Sequence, residues 1–259
     1  MTGKVTLYAA RMALFAALML LWQFGSSFGH FEFYVSTPSA IGESFWALVR
    51  SGAFVFHAGI TTAEALIGFV IGGTSGMLVG LLLGRLKALA DVIDPFITAF
   101  YSLPKVALAP LFVLWFGIGI EMKIILAAVT VFFLVFLNTY TGVRQVSREQ
   151  LLVIRLMGAN ERHLLTKVVI PSAITWVFAG LRLSVPYALI GAVVGEIIAS
   201  NRGLGFLVSD AAAKFDTAGV FAALLGIVAL AMLLNIAVKQ AEKWLMPWKA
   251  ADESREATV

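Results

Sequence analysis

The sequence predicts an all-α, polytopic membrane protein with about six transmembrane helices and one polar loop of two short helices. Hydrophobic residues make up 60% of the 259-residue chain and charged residues only 13%, and the mean hydropathy is +0.93. A helix needs roughly 20 apolar residues to cross the hydrocarbon, because every backbone amide must find its partner within the segment. Stretches of this kind predict spans at residues 7–28, 60–84, 96–117, 122–143, 173–198 and 218–238.

The first span also fits a second interpretation, a cleaved signal peptide. Lys4 and Arg11 precede a short apolar core that ends at Gly25, Ser26 and Ser27. We expect a retained span, because its removal would leave an odd number of spans and send one terminus across the membrane.

Residues 31–56 are mixed rather than continuously apolar, and we expect them to lie on the outer membrane surface. Thr37 is expected to cap a short helix that has Pro38 in its first turn. The apolar face of this helix would hold Ile41, Phe45, Trp46 and Val49.

The second span carries a glycine at every fourth position, which gives one helix face without side chains. In lipid, helices associate through close packing, so this face predicts a tight contact with another helix backbone. We expect the contact within one subunit, with a subunit interface as the alternative. The residues are Gly68, Gly72, Gly76, Gly80 and Gly84.

Prolines mark the third and fifth spans, at Pro104, Pro110 and Pro186. Each lacks a backbone donor and is expected to bend or interrupt its helix, as a translocation pathway would need.

Three ionisable side chains lie deepest in the spans, and charges there usually face a bundle interior or a water-filled route. They are Lys105, Arg182 and Glu196, which we take as candidate pathway residues. The alternative is that Arg182 and Glu196 extend toward opposite faces, and that a helix end or a neighbouring subunit neutralises Lys105.

The polar segment from Arg144 to Pro171 is too charged to lie in lipid. Gly158 separates two predicted helices. The first has one apolar face, formed by Val146, Leu151, Ile154 and Met157. The second begins at Glu161 and is expected to end at Ile170 and Pro171. A helix pair of this kind at a membrane surface predicts a protein partner.

Most of the 19 Lys and Arg residues fall in loops on one side of this topology, and Lys and Arg are retained in the cytoplasm. Both termini are therefore predicted to be cytoplasmic, with Lys123 on the outside. The net charge of +4 needs no nucleic acid to explain it.

The sequence carries little that indicates an enzyme. No cysteine is present, and His30, His57 and His163 lie on different sides of the membrane, so we expect no metal site. A P-loop sequence is absent, so any ATP must be bound by another chain. Glu64 is treated as an isolated polar group that forms an interhelical hydrogen bond.

The polar segment resembles the cytoplasmic loop of ABC importer permeases, in which E-A-A is followed by three residues, Gly, nine residues and I-x-L-P. Here Gly158 is followed at that distance by residues 168–171, which read V-V-I-P. The first half departs from the pattern, because Leu152, Val153 and Ile154 stand in place of E-A-A, with Glu149 displaced by about one turn.

Other motifs resemble the nitrate, sulfonate and taurine branch of these permeases. They are Asp94-Pro95, Leu103-Pro104-Lys105, the run Ala109-Pro110-Leu111-Phe112-Val113-Leu114-Trp115-Phe116-Gly117, Gly180-Leu181-Arg182, Gly195-Glu196 and Gly203-Leu204-Gly205.

This resemblance implies a multi-pass permease of the bacterial inner membrane that forms a homodimeric pore in lipid. Two cytoplasmic ATPase subunits would bind ATP and Mg, and a periplasmic binding protein would deliver a sulfonate, taurine, nitrate or similar anion. The implied ATPase-docking residues are Arg148, Leu151, Leu152, Ile154, Arg155, Met157, Gly158, Ala159 and Asn160. We expect about half of the apolar docking side chains to pack on this subunit's own spans.

The implied organisation is an N-terminal span and surface segment (1–56), a transmembrane domain (57–245) with a docking loop (144–171), and a cytoplasmic tail (246–259) without regular structure near its end. Two other functions remain open on the residues alone. A stand-alone transporter or channel would need its own coupling-ion site, and the spans hold few acidic residues. A membrane enzyme would need converging catalytic groups.

Overall fold

The computed structural model describes residues 2–26 and 31–245, and all regular structure in this part of the chain is helical. The predicted all-α membrane fold is confirmed: five helices are long and apolar enough to span a membrane, and a bent pair makes a sixth crossing. The predicted tail and the side chain of Arg148 lie outside the described part.

The helices are α1 Thr2–Ser26, α2 Phe31–Val35, α3 Pro38–Arg50, α4 Ala53–Arg85, α5 Lys87–Ser102, α6 Ala109–Phe116, α7 Ile120–Arg144, α8 Arg148–Leu156, α9 Glu161–Leu164, α10 Ile170–Ala199, α11 Leu204–Ala213 and α12 Thr217–Leu245.

Helix α3 forms as its sequence predicts. The Thr37 hydroxyl accepts a hydrogen bond from the Ala40 amide at 3.2 Å, and Pro38 occupies the first turn. Ile41 is buried, whereas Trp46 is exposed. Gln23 of α1 donates to the Ser39 hydroxyl at 3.0 Å, which fastens the first span to α3.

The centre of the subunit is α7, which lies between α4 and α10. The glycine face of α4 contacts α7 within the same subunit, and the two helices run parallel: Gly68 faces Ala127, and Gly84 faces Val143. A Cβ on Gly76 would lie 2.7 Å from the Phe132 carbonyl oxygen, so only glycine permits this approach.

Helix α10 runs antiparallel to α7 on its other side and also uses small residues. Gly180 faces Asn138, and Gly191 faces the backbone of Ala127. We call the end of the subunit where α7 leads into α8 the α8 end, and the end that carries α3 and α11 the α3 end.

The third crossing is interrupted, as its prolines predict, but it covers Ala88–Phe116 rather than residues 96–117. Helix α5 and the segment that begins at Lys105 meet at an angle of 80°, with Pro104 at the break. Pro110 lies in the first turn of α6, where its missing donor is tolerated. Pro186 does not interrupt its helix, because α10 continues through it from Ile170 to Ala199.

The predicted helix end at Ile170 and Pro171 is also wrong. Residues 161–199 form one continuous helix, in which a π turn at Leu165–Val169 joins α9 to α10. A π turn shifts the register of the backbone hydrogen bonds. The helix can therefore continue through Pro171, although proline has no N–H to donate. The second half of the docking loop is therefore continuous with a transmembrane helix.

Candidate functional site

The α8 end carries a helix pair with well-formed caps. The Ser147 hydroxyl accepts from the Gln150 amide at the start of α8. At its end, Gly158 has a φ of +85°, its amide bonds Arg155 O at 2.9 Å, and the Ala159 amide bonds Ile154 O at 3.2 Å. This is a Schellman motif, which suits glycine because the left-handed conformation is strained for other residues.

The chain then turns directly into α9. The Asn160 side chain accepts from the His163 amide at 2.9 Å, which satisfies a donor at the start of that helix. Gly158, Ala159 and Asn160 thus shape the turn between the two helices.

One face of α8 presents large apolar side chains to its surroundings. Leu156 is 87% exposed and Met157 is 78% exposed, and Leu152 and Val153 are each more than half exposed. Exposed apolar clusters at a polar loop mark an interaction surface. We call these four residues the α8 patch.

The other face of α8 packs on its own subunit. Leu151 contacts the buried cluster of Val143, Val169 and Ala173. Ile154 is half-buried and lines a groove of about 470 Å³ beside Val168. Leu151 and Ile154, both implied as docking residues, thus match the expectation that part of the apolar docking set packs on this subunit's own helices. Leu156 was not among the predicted docking residues.

Charged side chains fasten the loop to the membrane helices. Glu161 accepts from Arg85 of α4 at 2.6 Å and from Arg155 of α8 at 2.8 Å. Arg155, one of the implied docking residues, is thus paired within the loop and remains half exposed. Arg144 of α7 is 3.2 Å from Asp91 of α5. These pairs are exposed, so each contributes at most about 1 kcal/mol to stability.

At the break between α5 and α6, Lys105 lines a cavity of about 250 Å³ with Tyr101, Thr130, Phe133, Leu134 and Tyr187. The Lys105 ammonium donates to the Tyr101 carbonyl oxygen. It lies 4.5 Å from the centre of the Tyr101 ring and 5.1 Å from that of Phe133. The cavity thus combines one cation with three aromatic rings.

Some of the other candidate pathway residues lie next to this cavity, and others lie elsewhere in the fold. Pro104 and Pro186 each adjoin a cavity residue, and both are exposed. Pro110 is exposed on α6, and Arg182 is half-buried on α10. Glu196 follows Tyr187 along α10 by nine residues, which is about 13 Å toward the α3 end.

The assignment of Glu196 to a pathway is wrong, because its side chain is 0% exposed and serves as a cap. Its carboxylate accepts from the Gly205 amide and from the Thr61 hydroxyl, both at 2.7 Å. The Leu204 amide donates to the same hydroxyl at 2.9 Å. The first amides of α11 are thereby satisfied by side chains of α4 and α10, and the carboxylate lies at the positive end of the helix dipole.

Lys123 and Glu64 complete this buried cluster. Lys123 is 6% exposed and lies 3.6 Å from the Glu64 carboxylate, and its ammonium also donates to Ser200 at 2.8 Å. Glu64 is therefore not isolated, because an interhelical ion pair takes the place of the expected hydrogen bond. Lys123 lies near the start of α7 at the α3 end, with its side chain buried. We call Glu64, Lys123 and Glu196 the buried triad. Three charged residues in apolar runs, each near the same end of its span, were a signal that could have located it.

In the described ranges, no group of His, Asp and Glu has the arrangement of a metal site.

Three comparisons relate the chain to known proteins. Residues 72–249 match the model of the family described as binding-protein-dependent transport system inner membrane component. The chain is 32% identical over 239 residues to SsuC of Bacillus subtilis, a permease named for aliphatic sulfonate transport, with 92% of this chain and 87% of SsuC covered. It is 33% identical over 235 residues to RibX of Chloroflexus aurantiacus, a riboflavin transport system permease, with 90% and 88% covered.

The fold is also similar to solved structures. A chain from inward-facing conformations of the MetNI methionine ABC transporter superposes with a TM-score of 0.62 at 19% identity, covering 76% of this chain and 94% of that one.

Proposed function

This chain belongs to the family of binding-protein-dependent transport system inner membrane components, and we propose that two copies of it form the pore of an importer for a small anionic solute. The resemblance of the loop and span motifs to ABC importer permeases is confirmed by the family match. The chain is a multi-pass permease subunit of the inner membrane, not an enzyme. Its partners in the family are a separate ATPase subunit and a solute-binding protein.

The observation that carries the mechanism is the α8 patch. Burial of two side chains such as Leu156 and Met157 in a groove would contribute several kcal/mol to association, at about 1.5–3 kcal/mol for each. An amphipathic helix seated in a groove is a common way for two proteins to bind. We assign the partner groove to the ATPase, with one ATPase subunit on each copy and with ATP and Mg bound there.

Movement of a docked α8 would reach the membrane by two routes. Glu161 connects α8 to the end of α4 through Arg155 and Arg85. The continuous helix over residues 161–199 carries the loop directly into α10. Closure of the ATPase pair would thus shift α4 and α10 together and change access at the break between α5 and α6.

The proposed orientation places the α8 end and both termini in the cytoplasm, and the α3 end toward the binding protein. The Lys and Arg residues of the α8 end support it. Because the chain has no native cysteine, Gln150→Cys and Ser51→Cys each give one labelling site. In intact cells an impermeant maleimide should label only Ser51→Cys, and labelling of Gln150→Cys instead would reverse the orientation.

Docking is tested by affinity purification of the permease from native membranes and identification of copurifying proteins. We expect a P-loop ATPase with the wild type and its loss from the double variant Leu156→Asp/Met157→Asp. Phe215→Asp is the matched control, because Phe215 is 77% exposed at the α3 end. Equal ATPase recovery from the double variant and the control would contradict docking at α8.

A further inference from the structure

Two lysines lie within the apolar helices, and their surroundings differ. Lys123 is compensated by Glu64 in the buried triad. Lys105 forms no ion pair with any carboxylate in the described ranges. A cation at membrane depth is unfavourable unless it is paired or faces a water-filled route. The Tyr101 carbonyl oxygen and two ring faces hold the Lys105 ammonium group in place without cancelling its charge, which leaves that charge able to attract an anion.

The cavity at Lys105 lies at the middle of the membrane crossing. Thr130, Phe133 and Leu134 occupy the central turns of α7, which spans Ile120–Arg144. Lys105 belongs to the broken crossing and Tyr187 to α10, and both line the cavity. Three crossings that a moving permease would shift against each other thus contribute to one site.

The lining selects the chemistry of the ligand. One ammonium group favours a single negative charge, and the faces of Tyr101 and Phe133 hold that ammonium group in place. A volume of about 250 Å³ lies below the usual range of roughly 300–1,000 Å³ for ligand sites, so the cavity suits a small solute. Tyr101 and Tyr187 are 45% and 44% exposed, so the site is open on one side.

We propose that Lys105, with Tyr101 and Tyr187, forms a transient binding site for the oxyanion head of a small, singly charged solute at half depth in the membrane. The site rests on the proposed importer function and supplies its substrate class. With a single cation it binds weakly, which allows release toward the cytoplasm.

The test uses the chain's lack of cysteine. Tyr187→Cys is introduced into the permease, which is purified with its copurifying ATPase and reconstituted in liposomes. The introduced thiol is then modified with two methanethiosulfonate reagents of similar size, one bearing an ethylsulfonate and one bearing an ethyltrimethylammonium group. With Lys105 present, we expect the anionic reagent to react faster than the cationic one by about tenfold relative to free thiol, and excess ethanesulfonate to slow the anionic reaction.

Two variants at position 105 make the outcome specific. Lys105→Met keeps the length of the side chain without its charge and should abolish both the preference and the protection, whereas Lys105→Arg should keep the preference. Ser51→Cys, at the α3 end, should show no dependence on residue 105. A preference that is unchanged by Lys105→Met, or a thiol at position 187 that neither reagent reaches, would overturn the site. ATPase recovery in the same samples reports separately on the importer function.

Discussion

A buried polar cluster at the α3 end of the subunit contrasts with an exposed apolar patch at the α8 end. At the α3 end, the carboxylate of Glu196 and the hydroxyl of Thr61 are fully buried and satisfy the first amides of α11. At the α8 end, Leu156 and Met157 are almost fully exposed on a helix held by surface ion pairs. The buried cluster at the α3 end completes its own contacts, whereas the α8 patch leaves apolar surface for another protein.

This contrast separates residues that hold the fold from residues that serve a partner. A buried charge that loses its partner destabilises the whole subunit, because the remaining group has no access to water. An exposed apolar side chain adds little to the stability of its own chain. Substitutions at the two ends should therefore affect different measurements.

The largest expected effect on stability is that of Glu196→Ala. Removal of the carboxylate leaves Lys123 less compensated and the Gly205 amide unsatisfied, so we expect a loss of about 3–5 kcal/mol in free energy of unfolding. Glu196→Gln should cost less, because its side-chain oxygen still accepts one hydrogen bond. Thermal unfolding in detergent measures both, and Glu43→Ala on exposed α3 is the control. A stable Glu196→Ala would refute the role of the triad.

Packing between α4 and α7 gives the next largest effect. A Cβ at Gly76 would lie 2.7 Å from a carbonyl oxygen of α7, whereas nothing lies within 4 Å of a Cβ at Gly59 on the same helix. Gly76→Ala should therefore cost about 1–3 kcal/mol through overpacking. Gly59→Ala should be neutral or slightly stabilising. Equal melting temperatures for the two variants would show that the helices can separate without cost.

The smallest effect on stability is expected for Glu161→Gln, which removes the shared partner of Arg85 and Arg155. These pairs are exposed, so the loss should be below about 1 kcal/mol. ATPase recovery should be normal, but solute uptake per ATP hydrolysed should fall, because α8 is no longer fastened to α4. Unchanged coupling would assign the transmission to the continuous helix over residues 161–199 alone.

Much of the fold could be predicted because local signals determine it. Apolar run length gives the spans, Thr37 and Pro38 give the start of α3, and Pro104 gives the broken crossing. The continuity of residues 161–199 could not be predicted, because a π turn compensates for Pro171 and leaves no sequence pattern of its own.

The sites were harder to predict because they depend on contacts between distant residues. Helical spacing located α8, but which of its faces points outward depends on packing against Val143 and Ala173, so the exposed Leu156 was missed. Glu64, Lys123 and Glu196 are each separated by about 60 residues or more, so nothing in their local sequence links them. Charge at the same depth in three spans was the available indication.

The proposed mechanism depends most on α8 being the surface that the ATPase covers. The direct measurement places the photoreactive residue p-benzoylphenylalanine at position 156, and in a second variant at position 215, followed by irradiation of native membranes. We expect a cross-link from position 156 to a P-loop ATPase and none from position 215. Cross-linking of the ATPase from position 215, or its absence at position 156 in a complex that still copurifies with the ATPase, would contradict the account.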